Sequence, residues 1–188
     1  MKDLTRYDFV LYHIGMSPSE IAIVRIVFLV AALFVGTSAI ATATSADHSV
    51  VVLSLHFDAS KNRTAAAFGP LSEATWAPDF TPQFVYPRKP KQVAGAVFTI
   101  SKGQLWLLHD YDTAAGLVQY VIVDANAEIT LTIRVVAAGA GSSATMTYDV
   151  VALNTAGAEH LATLQRHAHE LSAHMQSAIG DYLAKSSP

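Results

Sequence analysis

From Ser49 onward, apolar and polar residues along the chain alternate in short blocks. The segment SVVVLSLHF, residues 49–57, is apolar and β-branched and predicts a first strand. Five further blocks predict strands near residues 94–101, 104–111, 117–124, 128–137 and 143–153. The linkers between them are short (KG, DTAAG, ANA and AGAG), so the blocks predict a meander of antiparallel hairpins. Between the first strand and the meander, residues 61–77 have weak helical character, broken at Gly69-Pro70. Prolines at 70, 78, 82, 87 and 90 block both ladder pairing and helix continuation, so this stretch predicts short helical turns followed by edge or loop. The period then changes. Over residues 157–185, Leu161, Leu164, Ala168, Leu171, Met175, Ala178 and Tyr182 step by three and four, predicting one long helix with one apolar stripe. Asn154 or Thr155 can cap its start, and at 1.5 Å per residue the helix would run roughly 40 Å.

Loop lengths predict the strand registers. A two-residue turn at Lys102-Gly103 sets Phe98 opposite Leu107 and Ile100 opposite Leu105, and the next hairpin sets Leu107 opposite Tyr120. A two-residue turn at Ala125-Asn126 sets Tyr120 opposite Leu131 and Val118 opposite Ile133. A four-residue loop, 138–141, sets Leu131 opposite Tyr148 and Ile133 opposite Met146, with Thr132 facing Thr147 and Arg134 facing Thr145 on the other side. A one-residue slip would turn each set over. In this register Phe98, Leu107, His109, Tyr120, Leu131, Met146 and Tyr148 face inward, His109 lies opposite Val118, and Trp106 points outward with Val97 and Thr99.

Composition changes this picture mainly at the N-terminus. Apolar residues make up 52% of the 188 and charged residues 14%, which argues against extensive disorder. A net charge of −3 does not suggest nucleic-acid binding, and the lack of cysteine excludes disulfides and thiolate metal sites. Residues 26–35, IVFLVAALFV, follow Arg25 and precede the small-residue stretch GTSAIATATSADHS. That is the layout of a secretory signal, with Ala39-Ile40-Ala41 and Ala41-Thr42-Ala43 as cleavage tripeptides. The alternatives are an uncleaved anchor, for which residues 26–43 are barely long enough, and an ordinary core helix. The 25 residues ahead of the block carry Lys2, Arg6 and Arg25 against Asp3, Asp8 and Glu20, which is long and acidic for such a leader; a start at Met16 leaves a more ordinary one. The organisation expected is therefore an extension over residues 1–45 and a domain over residues 48–186, exported to the periplasm or the cell exterior or anchored to the membrane by the extension.

Candidate chemistry centres on His109, the one inward polar residue with reach, with Tyr120 and Tyr148 on its face. Such a group can act as general acid or base, orient a ligand's hydroxyl or carbonyl, or be a satisfied core histidine. His160, His167 and His174 share a helix flank at intervals of seven. Seven residues rise about 10.5 Å, too far apart for one ion, so they read as a solvated flank. Nucleophile motifs are absent, Gly139-x-Gly141 opens a strand and so is a hairpin loop, and Asn62-Arg63-Thr64 is a glycosylation sequon. No metal or cofactor is implied.

The proline stretch PLSEATWAPDFTPQFVYP resembles the P-x-x-E-x-x-W-x-x-x-W-x-P signature of the SRPBCC superfamily, the START and Bet v 1-like group that includes polyketide cyclase/dehydrase-type proteins. Pro70, Glu73, Trp76 and Pro82 match, with Phe80 where a second tryptophan is usual. Gly95-Ala96-Val97-Phe98, Leu105-Trp106, Asp110-Tyr111-Asp112, Gln119-Tyr120-Val121, Thr147-Tyr148, Ala152-Leu153-Asn154 and Gly157 follow in the same order. The resemblance implies an α+β helix-grip fold: a curved antiparallel sheet of about six or seven strands wrapped on a long C-terminal helix, with two short helices forming one lip of a cavity. It implies a hydrophobic small molecule or lipid as partner, held among Phe98, Leu107, His109, Tyr120, Leu131, Met146 and Tyr148, with Leu171 from the helix and Trp76 as lip or core plug. A cyclase- or dehydratase-like enzyme using the same cavity, or an envelope interaction protein with a collapsed cavity, are the alternatives.

Overall fold

The structure, a computed structural model, describes residues 48–100 and 103–186. The apolar block 26–35, the cleavage tripeptides and Lys102 of the expected first turn lie outside the described residues. Strand β1 (His48–Phe57) alternates as expected, with Val51, Leu53, Leu55 and Phe57 buried and the residues between them exposed. Two short helices of about two turns each follow, α1 (Lys61–Ala67) and α2 (Pro70–Trp76), the second starting on Pro70, where a missing N–H costs nothing. The meander is β2 (Gln83–Tyr86), β3 (Ala96–Thr99), β4 (Leu105–Asp112), β5 (Leu117–Val123), β6 (Ala127–Ala138) and β7 (Gly141–Ala152). All seven strands join one antiparallel sheet in the order β1-β7-β6-β5-β4-β3-β2.

Across β5, β6 and β7 the registers are those the loops predict. Tyr120 faces Leu131, Val118 faces Ile133, Leu131 faces Tyr148, Ile133 faces Met146, and Thr132 and Arg134 face Thr147 and Thr145. At the β4–β5 turn, Gly116 has φ +77° and a Cβ there would stand 2.2 Å from the Val135 carbonyl, so only glycine fits.

Strand β4 departs from the expected register. Phe98 faces Trp106, not Leu107, and Tyr120 faces Leu108. The register then shifts between Leu108 and Asp110, a bulge that leaves His109 without a cross-strand partner and sets Tyr111 opposite Val118. Trp106 and Leu108 are therefore buried, Leu107 lies half-buried on the outer face beside Val97 and Val121, and Leu105 and His109 are exposed. Burial of the larger indole accounts for the choice, since an inward tryptophan removes more apolar surface from water than an inward leucine. The bulge has its own logic. Without it the alternation after Trp106 and Leu108 would carry Asp110 inward; with it, Asp110 stays at the surface and Tyr111 packs on the core.

The C-terminal segment is two helices, α3 (Thr155–Arg166) and α4 (Ala168–Lys185), interrupted at His167, rather than one. Asn154 caps α3 by accepting a hydrogen bond from the Gly157 amide at 3.1 Å. The break lets α3 lie on β7 while α4 crosses to β1. It also shifts the inner stripe of α4 to Leu171, Met175, Ile179 and Leu183, leaving Ala178 and Tyr182 half-buried at its side. Helix α4 seals the β1 edge: Gln176 accepts from the His56 amide through Oε1 at 2.7 Å and donates to the His56 carbonyl, as a neighbouring strand would.

Candidate functional site

The inner face of the sheet carries a cross-strand row, Leu108–Tyr120–Leu131–Tyr148–Val51, contributed by β4, β5, β6, β7 and β1 in turn. Period-two alternation brings its five side chains to one side, and all are buried. Helix α2 lies above one end of this row. Its buried positions Pro70 and Glu73 are three residues apart, so the apolar face of the helix carries a carboxyl inward. Glu73 is only 4% exposed.

The Tyr120 hydroxyl donates to the Phe68 carbonyl at 2.7 Å and lies 3.1 Å from Glu73 Oε1. A phenol has one proton to give. With that proton on Phe68, the arrangement is satisfied when a protonated Glu73 donates to the Tyr120 oxygen. Burial favours the same state: it pushes the Glu73 carboxyl up to about 8, against the opposing pull of the Tyr120 hydrogen bond. Glu73 is thus a neutral acid at pH 7.

Three phenols feel this carboxyl. Tyr120 is raised well above the ordinary tyrosine value by burial and then by Glu73. Tyr111, half-buried, is raised by burial, Tyr182 and Glu73; its hydroxyl accepts from Gln92 Nε2 at 2.9 Å. Tyr148 is raised by burial first and Glu73 second, and its buried hydroxyl has no hydrogen-bond partner among the described residues. The chemistry on offer is one neutral acid and one idle phenol donor in an apolar interior.

Beside Tyr120 the interior is filled with rings. Phe80 meets Trp106 edge-on at 5.7 Å and Phe98 at 6.1 Å; Tyr120 meets Trp106 at 5.6 Å and Phe98 at 6.2 Å. Of the residues expected at the site, Phe98, Tyr120, Leu131, Met146, Tyr148 and Leu171 are buried in the interior. Trp76, the last residue of α2, is half-buried and donates Nε1–H to the Ala67 carbonyl at 2.8 Å. Two are elsewhere. Leu107 lies on the outer face, and His109 is exposed and paired with Asp110 at 3.0 Å, because of the shifted register and the bulge. Glu73 and Tyr111 occupy the polar positions instead. For Glu73 the signal in the sequence was the Pro70–Glu73 spacing, which puts a carboxyl on the buried side of a helix.

Among the described residues, no group of three or more His, Asp or Glu is arranged to hold a metal. His160 is buried against the core rather than on a solvated flank, whereas His174 is exposed. No described helix is long and apolar enough to cross a membrane.

No family model matches the chain, and no curated protein matches it in sequence. Solved structures do match. Ara h 8.0201 is similar with a TM-score of 0.54 at 12% identity, over 74% of this chain and 99% of that one. Norcoclaurine synthase from Thalictrum flavum, in complex with dopamine and hydroxybenzaldehyde, gives 0.52 at 15% identity, over 83% and 98%. CalU16 from Micromonospora echinospora gives 0.51 at 10% identity, over 79% and 80%. With the strand order and the closing helices, these likenesses establish the helix-grip fold.

Proposed function

We propose that this chain binds a hydrophobic small molecule or lipid between the inner face of the sheet and α4. One observation carries the reading: the Tyr148 hydroxyl is buried, without a partner among the described residues, in the same interior as the neutral Glu73 acid. An unsatisfied buried hydroxyl costs about 1–3 kcal/mol, and a ligand oxygen that accepts from it recovers that cost. Apolar walls with a few placed polar groups are what such sites need. A protein of the same fold, norcoclaurine synthase, holds dopamine and hydroxybenzaldehyde, rings that carry polar groups.

Glu73 favours a second reading. A carboxyl that keeps its proton at neutral pH is a competent general acid, so a cyclase- or dehydratase-like reaction on an apolar substrate would run through Glu73, with the Tyr148 hydroxyl on the substrate oxygen. Export is a separate part of the proposal, resting on residues 26–43. N-terminal sequencing of the protein from its native host is expected to begin between residues 42 and 48; an intact extension in a membrane fraction favours the anchor.

Native mass spectrometry of the purified chain tests the binding reading. The expected result is a retained apolar molecule that Tyr148→Phe releases. A chain that retains nothing and takes up no apolar fluorescent probe would overturn it and leave the interaction role.

A further inference from the structure

The two edges of the sheet are finished differently, and the β2 edge carries a surface that neither the interior site nor the fold requires. Strand β2 and the loop after it read QFVYPRKPK, residues 83–91. Val85 is 59% exposed and Tyr86 63%, and Arg88, Lys89 and Lys91 are all exposed. Three of the chain's twelve Lys and Arg residues therefore fall within four positions. Among the described residues no carboxylate pairs with any of them; the ion pairs present are His48–Asp149, His109–Asp110 and His167–Glu170.

The loop is tied to the lip. Gln92, next to Lys91, accepts from the Leu71 and Ser72 amides at 2.8 Å each, using one side-chain oxygen to cap the start of α2. Leu71, on α2, is itself 41% exposed. Exposed Leu71, Val85 and Tyr86 thus flank a cluster of unpaired cations on a segment anchored to the lip. Protection of a free edge explains only part of this. An edge guarded against pairing carries charge in place of apolar side chains, whereas here large apolar groups stay in solvent beside the charge.

We propose that Leu71, Val85 and Tyr86 together with Arg88, Lys89 and Lys91 form a docking surface for an anionic lipid bilayer. The cations meet the negative headgroups, and the apolar side chains, with tyrosine suited to the interface, enter the headgroup boundary. Docking there would set the lip of the fold against the membrane. The proposal does not depend on the interior site.

The full chain has no cysteine, so a single introduced one reports locally. An environment-sensitive fluorophore on Gln83→Cys is expected to shift to the blue on vesicles of phosphatidylglycerol and phosphatidylcholine, and the same label on Val136→Cys, on β6, is not. Replacing Arg88, Lys89 and Lys91 by Gln should weaken vesicle partitioning about a hundredfold, and added salt should weaken the wild type. Because the label reads position 83, insertion of residues 26–35 alone leaves it silent. The proposal is overturned if the shift is equal on pure phosphatidylcholine, survives the triple substitution, appears equally at position 136, or is produced by soluble polyglutamate.

Discussion

The interior has two unlike halves. Under β3, β4 and β5, Phe80, Phe98, Trp106 and Tyr120 interlock with ring centroids 5.6 to 6.2 Å apart. Edge-on ring contacts of this kind add specific geometry to area burial, so this half is stiff. Under β6, β7 and β1, closed by α4, the core is largely aliphatic, with Leu53, Leu131, Ile133, Met146, Leu171 and Met175 beside the Phe57 ring and the Tyr148 phenol. Methionine and leucine repack more readily than rings, and here the Tyr148 hydroxyl has no partner among the described residues. Glu73 and Tyr120 stand at the boundary. The contrast separates a ring plug that holds the fold from a largely aliphatic half, the side on which the proposed ligand would sit.

Substitutions can break that division. Trp106→Ala removes a ring that touches three others, and it should cost about 3–5 kcal/mol in urea unfolding. A loss under 1 kcal/mol would mean that the ring half is not the plug. Tyr148→Phe is expected to go the other way. Deleting an unsatisfied hydroxyl should stabilise the ligand-free protein by about 1 kcal/mol while weakening uptake of a ligand with an acceptor oxygen. Destabilisation would mean that the hydroxyl has a partner after all. His109→Ala should stay within about 0.5 kcal/mol and leave ligand uptake unchanged, since the side chain is in solvent with Asp110; impaired binding would return His109 to the site.

The register of β5, β6 and β7 was legible because polar and apolar residues alternate there, and every slip would pair Leu131 or Ile133 with the wrong face. Strand β4 offers no such contrast. Leu105, Trp106, Leu107 and Leu108 are apolar on both faces, so the period-two signal is silent and the odd-length turn cannot be told from an even one. A bulge at His109 then resets the alternation, and a bulge has no pattern of its own. The break at His167 carries neither glycine nor proline. Glu73 was visible as a signature residue but not as a site residue, because a carboxyl becomes a neutral acid only through burial by distant elements. The fold was readable from local pattern; the site depends on which elements cover which side chain.

The most direct test of the Glu73 assignment is the unfolding free energy of the wild type minus that of Glu73→Gln, followed from pH 5 to pH 9. The folded carboxyl holds its proton up to about 8, whereas the unfolded one releases it near 4.5. Between those values the native state binds more protons, so its stability falls as pH rises, by about 1.4 kcal/mol per pH unit. Other titrating groups are shared by both proteins and cancel. The account predicts a difference that falls steadily from pH 5 to about pH 8 and then levels off. A difference that stays flat across that range, or rises with pH, would show Glu73 ionised in the folded protein and contradict a neutral acid at the heart of the site.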